Sequence, residues 1–156
     1  MVTIEYLEDA NGVQHVVSEI AAVVSKARED AGFANLAKYI AEALDFLKEV
    51  GIPKDTQFLP FETKNEDGNP LTFASILKDV KHHPPLMEFR VNWRDTGYFR
   101  AIFFCLEDSR GNQKIFFTKA ILKQERNPPE FTALANESEQ MLKDFIAKNL
   151  IAKNSE

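Results

Sequence analysis

Between Leu86 and Leu122 the chain carries three strand-like runs separated by turn chemistry, and this block limits the fold more than any other part of the sequence. In Leu86–Asn92 the apolar Met87, Phe89 and Val91 alternate with Glu88, Arg90 and Asn92, the period of a half-buried strand. Asp95-Thr96-Gly97 supplies a turn into Tyr98–Leu106, and the stretch Glu107–Gln113, with Gly111-Asn112, supplies a second turn into Lys114–Leu122. The middle run, with Phe99, Ile102, Phe103 and Phe104, is apolar on both faces and so predicts a central strand buried on both.

The rest of the chain dresses this meander. Val2, Ile4 and Tyr6 alternate with polar residues as a short first strand, which must pair with the meander because a lone strand leaves its backbone unsatisfied. Apolar residues at three- and four-residue steps predict a helix over 13–30 (Val16, Val17, Ile20, Val24), stopped by Gly32, and a second over 34–50 (Leu36, Tyr39, Ile40, Leu47), stopped by Gly51. Residues 51–72 are irregular, with Thr72 placed to cap a short helix through Phe73 and Val80. Pro128-Pro129 precedes a last helix over 131–149. The expected architecture is α+β: a four-stranded, mainly antiparallel sheet with an N-terminal helical hairpin and a C-terminal helix, the helices covering one face, in a single domain over 1–156.

Charge and composition narrow the function. Nineteen basic against twenty-four acidic residues give a net charge of -5, which argues against a bulk nucleic-acid coat protein. The charge is uneven: residues 1–87 carry eight basic and fourteen acidic side chains, whereas 88–130 carry eight and six. A basic segment inside an acidic chain can form a local phosphate-binding face. The apolar runs are too short for a membrane span, and the N-terminus has no signal-like core, so a cytoplasmic location is expected. The single cysteine, Cys105, excludes an internal disulfide and a cysteine zinc cluster.

No metal or cofactor is expected. His82 and His83 are adjacent and His15 is remote, so no pair has helical metal-site spacing, and no glycine-rich phosphate loop is present. Ser109 has no histidine near it in sequence, and Cys105 alternates within an apolar strand as core packing. The remaining chemistry lies in cations on the meander. Arg90 shares its strand face with Glu88 and Asn92, while Arg100 sits in a strand that is otherwise almost wholly apolar and must be paired or border a cleft. Lys119 and Lys123 lie at the exit of the third strand, with Arg126 just beyond. Two arrangements are open: these cations converge to hold a phosphodiester, or they end in structural bridges to Glu88 and to helix carboxylates.

Three segments resemble the RelE/HigB-type toxins of bacterial toxin–antitoxin systems, including their phage-derived relatives. Leu86-Met87-Glu88-Phe89-Arg90 keeps the Glu-x-Arg of the family's first motif. Gly97-Tyr98-Phe99-Arg100-Ala101-Ile102-Phe103-Phe104 is similar to the second, with one extra residue between tyrosine and arginine. Phe117 to Pro129 is similar to the third: Ile121 stands at the usual phenylalanine, Lys123 at the first lysine, Gln124 at the second, and Lys119 where a histidine is common. The resemblance spans most of residues 1–148, with 55–80 as an insertion beyond the minimal fold.

The resemblance implies a ribosome-dependent mRNA endonuclease in which the ribose 2′-OH attacks the adjacent phosphorus, with a small antitoxin protein as partner. It implies Arg100 as the phosphate and transition-state contact, Arg90 and Lys123 as electrostatic partners, Lys119 as a further phosphate contact, and Arg94 and Arg126 as flanking RNA contacts. Lys119 would need its pKa to fall by roughly 3 units to serve as a base, which leaves the acid and base unassigned. The acidic total departs from the basic character of such toxins. A second reading is a catalytically weak or inactive toxin-like module of a mobile element that binds a protein partner. A third is an unrelated small-molecule enzyme with Trp93 and Tyr98 lining a pocket near Arg94.

Overall fold

The computed structural model describes residues 1–54, 58–124 and 128–154, the last four as backbone only. In chain order the elements are β1 (Val2–Tyr6), α1 (His15–Lys26), α2 (Ala31–Val50), β2 (Phe61–Lys64), β3 (Pro70–Phe73), β4 (Leu77–Asp79), β5 (Met87–Trp93), β6 (Gly97–Glu107), β7 (Gln113–Lys123) and α3 (Pro129–Asn154). The main sheet has five strands in the order β1-β7-β6-β5-β4, and β2 pairs with β3 in a separate two-stranded hairpin.

This corrects the four-stranded, mainly antiparallel expectation. β1 pairs with β7 in parallel, Val2 opposite Gln113 and Tyr6 opposite Phe117, so the sheet is mixed. The fifth strand, β4, comes from the segment expected to be a short helix. Residues 70–73 instead follow period 2: Leu71 and Phe73 turn inward while Pro70 and Thr72 are exposed, and Thr72 pairs across the hairpin with Glu62 rather than capping a helix. The Ile76 N–H bonds to the Leu59 carbonyl and the Leu77 N–H to the Ser75 hydroxyl, which leaves no helical ladder there.

The helices cover both faces of the sheet, not one. On one face α1 and α2 lay Val16, Val23, Leu36, Tyr39, Ile40 and Leu47 over Phe89, Val91, Phe99, Phe103 and Phe117. On the other, α3 sets Ala135 and Leu142 against Ile102, Phe104 and Phe116. The two-sided apolar pattern of β6 thus has a helical layer for each side. Gly32 does not end the first helix; it lies in the first turn of α2, whose N-cap is Asp30, with its carboxylate accepting from the N–H groups of Gly32 and Phe33. Gly51 does close α2, with φ of 74° that favours glycine, and the Gln113 amide bonds both backbone groups of Ile52 to tie this end to β7.

One irregularity decides what the site contains. The β6–β7 register shifts between Ala101, opposite Ala120, and Phe103, opposite Phe117, so β7 holds one extra residue in between. A bulge of one residue exchanges the faces of everything beyond it. Ile115 and Phe117 face α1 and α2; without the bulge Lys123, of the same parity, would too. With it, Ala120 joins that core and Lys123 emerges on the α3 side, beside Phe131 in the first turn of α3. The bulge is pinned by the Ala120 N–H donating to His15 Nδ1 at 3.1 Å, and by the Thr118 hydroxyl donating to the Ile102 carbonyl at 3.0 Å.

Candidate active site

α3 covers only part of its sheet face. Beyond it, β4 to β7 leave an open polar pocket of about 380 Å³ lined by Lys78, Glu88, Arg90, Asn92, Tyr98, Arg100 and Lys123. The strand registers arrange these side chains in cross-strand rows: Lys78 opposite Glu88, Arg90 opposite Arg100, and Asn92 opposite Tyr98, which is in turn opposite Lys123. Four cations therefore surround one carboxylate on a single face. Gly97, with φ of 149°, starts β6 beneath the row; a Cβ there would lie 3.0 Å from the Lys123 carbonyl, so glycine lets the end of β7 close in.

Arg100 is the most enclosed of the set, 5% exposed. Its Nη1 donates to Asn92 Oδ1 at 2.6 Å and to the Phe99 carbonyl at 2.8 Å, while Nε lies 3.5 Å from Glu88 Oε1. Arg90 Nη1 approaches the same Glu88 oxygen at 3.9 Å. Arg100 thus answers both sequence alternatives: it is braced by a carboxylate and it borders the cleft. Burial, followed by the Arg90 charge, pushes its pKa down to about 10, with Glu88 opposing. Lys123 is also pulled below the ordinary lysine value, first by burial and then by Arg100, Arg90 and Lys78 against the opposing Glu88, and its Nζ lies 4.6 Å from the centre of the Phe131 ring.

The other proposed site residues fall elsewhere. Lys119 sits at the bulge and is held by Asp9 Oδ2 at 3.1 Å and Glu137 Oε2 at 3.4 Å, so it is a clasp between the β1–α1 loop, β7 and α3 and does not line the pocket. Arg94 is an exposed turn residue with positive φ whose guanidinium lies 4.5 Å from the Trp93 ring centre, also outside the pocket lining. Arg126 lies outside the described residues. Trp93 and Tyr98 share no pocket, because Trp93 turns to the α2 side against Tyr39 at 4.8 Å whereas Tyr98 faces the cations. Cys105 is half-buried with its thiol pushed up to about 11, first by burial and then by Glu107, which makes it a poor nucleophile. His83 Nδ1 lies 3.3 Å from Glu139 Oε2. Among the described residues no cluster of three or more metal-ligating side chains occurs, and no helix is long and apolar enough to cross a membrane.

Sequence reasoning missed Lys78, because the run around it was read as helix. It noted Asn92 only as sharing a strand face with Arg90, and Glu88 as a structural partner and as part of the Glu-x-Arg motif, with no role in the chemistry. The strict alternation Glu88, Arg90, Asn92 was the available signal for both. No family model matches the chain, no curated protein matches it, and no solved structure matches it.

Proposed function

We propose that the chain is a toxin-type endoribonuclease that cleaves mRNA during translation in the cytoplasm and is restrained by a small antitoxin protein. The observation that carries this reading is the Arg90–Arg100 pair facing an open pocket with Lys78 and Lys123 beside it. Two cations placed directly opposite each other on a sheet oppose folding unless something negative lies between them. Glu88 supplies part of that charge, and a phosphodiester in the pocket supplies more.

The chemistry follows from the side chains present. The ribose 2′-OH loses its proton to Glu88 as its oxygen bonds to phosphorus. Arg90 and Arg100 stabilise the extra negative charge of the pentacoordinate phosphorus. The bond from phosphorus to the 5′ oxygen then breaks, and Lys123, with its lowered pKa, gives that oxygen a proton. The products are a 2′,3′-cyclic phosphate and a 5′-OH. Every step uses groups lining the pocket, and Lys119 has no part in it.

A second reading has its own support. Glu88 stands within ion-pair reach of both arginines and the chain is acidic overall, which suits a module that binds a protein and does not cleave RNA. Regulated expression of the wild type and of Arg100→Met, with growth and transcript 5′ ends read together, separates the two. The nuclease reading expects growth arrest and new 5′ ends within translated messages for the wild type alone. Unchanged growth and transcripts with folded wild type would overturn it in favour of partner binding.

A further inference from the structure

We infer that the site takes a whole nucleotide, with the base seated in a second pocket against Phe73 and the phosphate held between Arg90 and Arg100. This second pocket, of about 260 Å³, is lined by Phe73, Ala74, Ser75, Arg90 and Asn92, and it shares Arg90 and Asn92 with the cationic pocket. The inference rests on the phosphate-binding reading above and adds to it the part of the ligand that is not phosphate.

The two halves of the groove differ in chemistry as the two halves of a nucleotide do. The first offers four cations and suits an anion. The second is smaller than the ~300–1,000 Å³ of a site for a drug-sized ligand, which suits one ring system. Its aromatic wall, Phe73, is half-buried and backed by two further rings, Phe61 at 6.1 Å in near-parallel stacking and Tyr39 at 5.6 Å. The loop beside it is fixed as well: the Ser75 hydroxyl accepts from the Leu59 and Leu77 N–H groups and donates to the Leu77 carbonyl. A ring entering here meets a preset aromatic surface, with little ordering left to be done on binding.

The shared residues supply the remaining contacts. The guanidinium of Arg90 is a flat cation suited to lie against a base or to hold its phosphate. Asn92 gives its amide oxygen to Arg100, and its amide nitrogen carries two donors that match the acceptors on a base edge. Stacking accepts any base, because every base has a π-face. The hairpin β2–β3 and the turn into β4, expected as an insertion beyond a minimal fold, thereby acquire a role: they build the wall for the base.

The test measures binding of the full chain to inorganic phosphate, to phenyl phosphate, to a dinucleotide with 2′-fluoro in place of the attacking hydroxyl, and to that dinucleotide with each base removed in turn. Wild type is expected to lose about 10-fold in affinity on removal of one base and little on removal of the other. Ala74→Phe, which fills the second pocket from an exposed position, and Phe73→Leu, which removes the ring, are each expected to erase that difference while phosphate still binds. Thermal unfolding checks that both variants are folded, and either one suffices. Equal binding with and without each base, or inorganic phosphate binding as tightly as the dinucleotide, overturns the inference and leaves the phosphate site standing. Failure of the wild type to bind phosphate and dinucleotide alike overturns the phosphate site as well.

Discussion

Arg90 and Arg100 stand directly opposite each other on β5 and β6, and the same Glu88 oxygen lies 3.9 Å from one guanidinium and 3.5 Å from the other. The arrangement forces like charges together on a face that α3 leaves open, and a single carboxylate offsets two cations. Under the proposed function, anion binding would relieve what remains, and the pair would act as a receptor for phosphate.

Arg100→Met is expected to reduce mRNA cleavage by about 10²–10³-fold, the usual loss when a transition-state donor is removed. Its hydrogen bonds to Asn92 and Phe99 contribute ~1 kcal/mol each, and the loss is partly offset by relief of the Arg90 repulsion, so the variant is expected to fold. Arg100→Lys should recover part of the activity. Circular dichroism and cleavage in a translating extract check this, and an unfolded protein in both variants would make Arg100 a structural residue instead.

Glu88→Gln removes the carboxylate between the arginines and is expected to lower stability by ~1–3 kcal/mol. Sulfate should then raise the melting temperature of the variant more than that of the wild type, because an added anion takes the place the carboxylate left. Thermal unfolding across a sulfate series, with chloride at matched ionic strength, reads this. Equal shifts would mean that the cations do not share a site.

If Lys123 donates the proton as proposed, its lowered pKa predicts an alkaline limit on cleavage. In the proposed mechanism a protonated Lys123 releases the 5′ oxygen, so cleavage is expected to fall as pH rises through a value below the 10.5 of an ordinary lysine. Stability runs the other way. Between the folded value and 10.5 the unfolded chain binds more protons, so stability from this group rises with pH across that window. Lys123→Met should remove the Lys123 share of both dependences, and a pH–rate profile beside a pH series of unfolding curves checks them.

The strands β5, β6 and β7 and the helices α1 and α2 were legible because their apolar periods are long and regular, and α3 was legible from the apolar positions that follow Pro128-Pro129. The sheet order was not, since neither the parallel direction of β1 nor the attachment of β4 is written in local alternation. Three-residue β4 carries too few apolar positions to announce itself beside the prolines and polar residues around it. Within the site, Arg90 and Arg100 could be found from their setting in apolar strands. Lys78 could not, because its segment reads as a helix, and the loss of Lys119 could not, because a bulge invisible in the sequence separates it from Lys123 and Asp9 claims it from far along the chain.

Lys119→Met is expected to cost stability and to reduce cleavage far less than Arg100→Met, since the ammonium fastens three elements outside the pocket. Its partner Asp9 is held below the ordinary carboxylate pKa, first by the Val13 N–H and then by the Lys119 ammonium and the Asn11 N–H against the opposing desolvation. That contribution is present above the ordinary value of 3.8 and is lost as pH falls through the lowered one. Asp9→Asn should therefore flatten the acid limb of the stability profile. A steep, unchanged acid limb in this variant would remove the clasp from the account.

The central claim, that the cationic pocket cleaves RNA by 2′-OH attack, is tested most directly by the end groups of a labelled message incubated with the purified chain in a translating extract. The account predicts fragments bearing a 2′,3′-cyclic phosphate and a 5′-OH with wild type, and an intact message with folded Arg100→Met. An intact message with folded wild type, or fragments that persist unchanged in Arg100→Met, would contradict it.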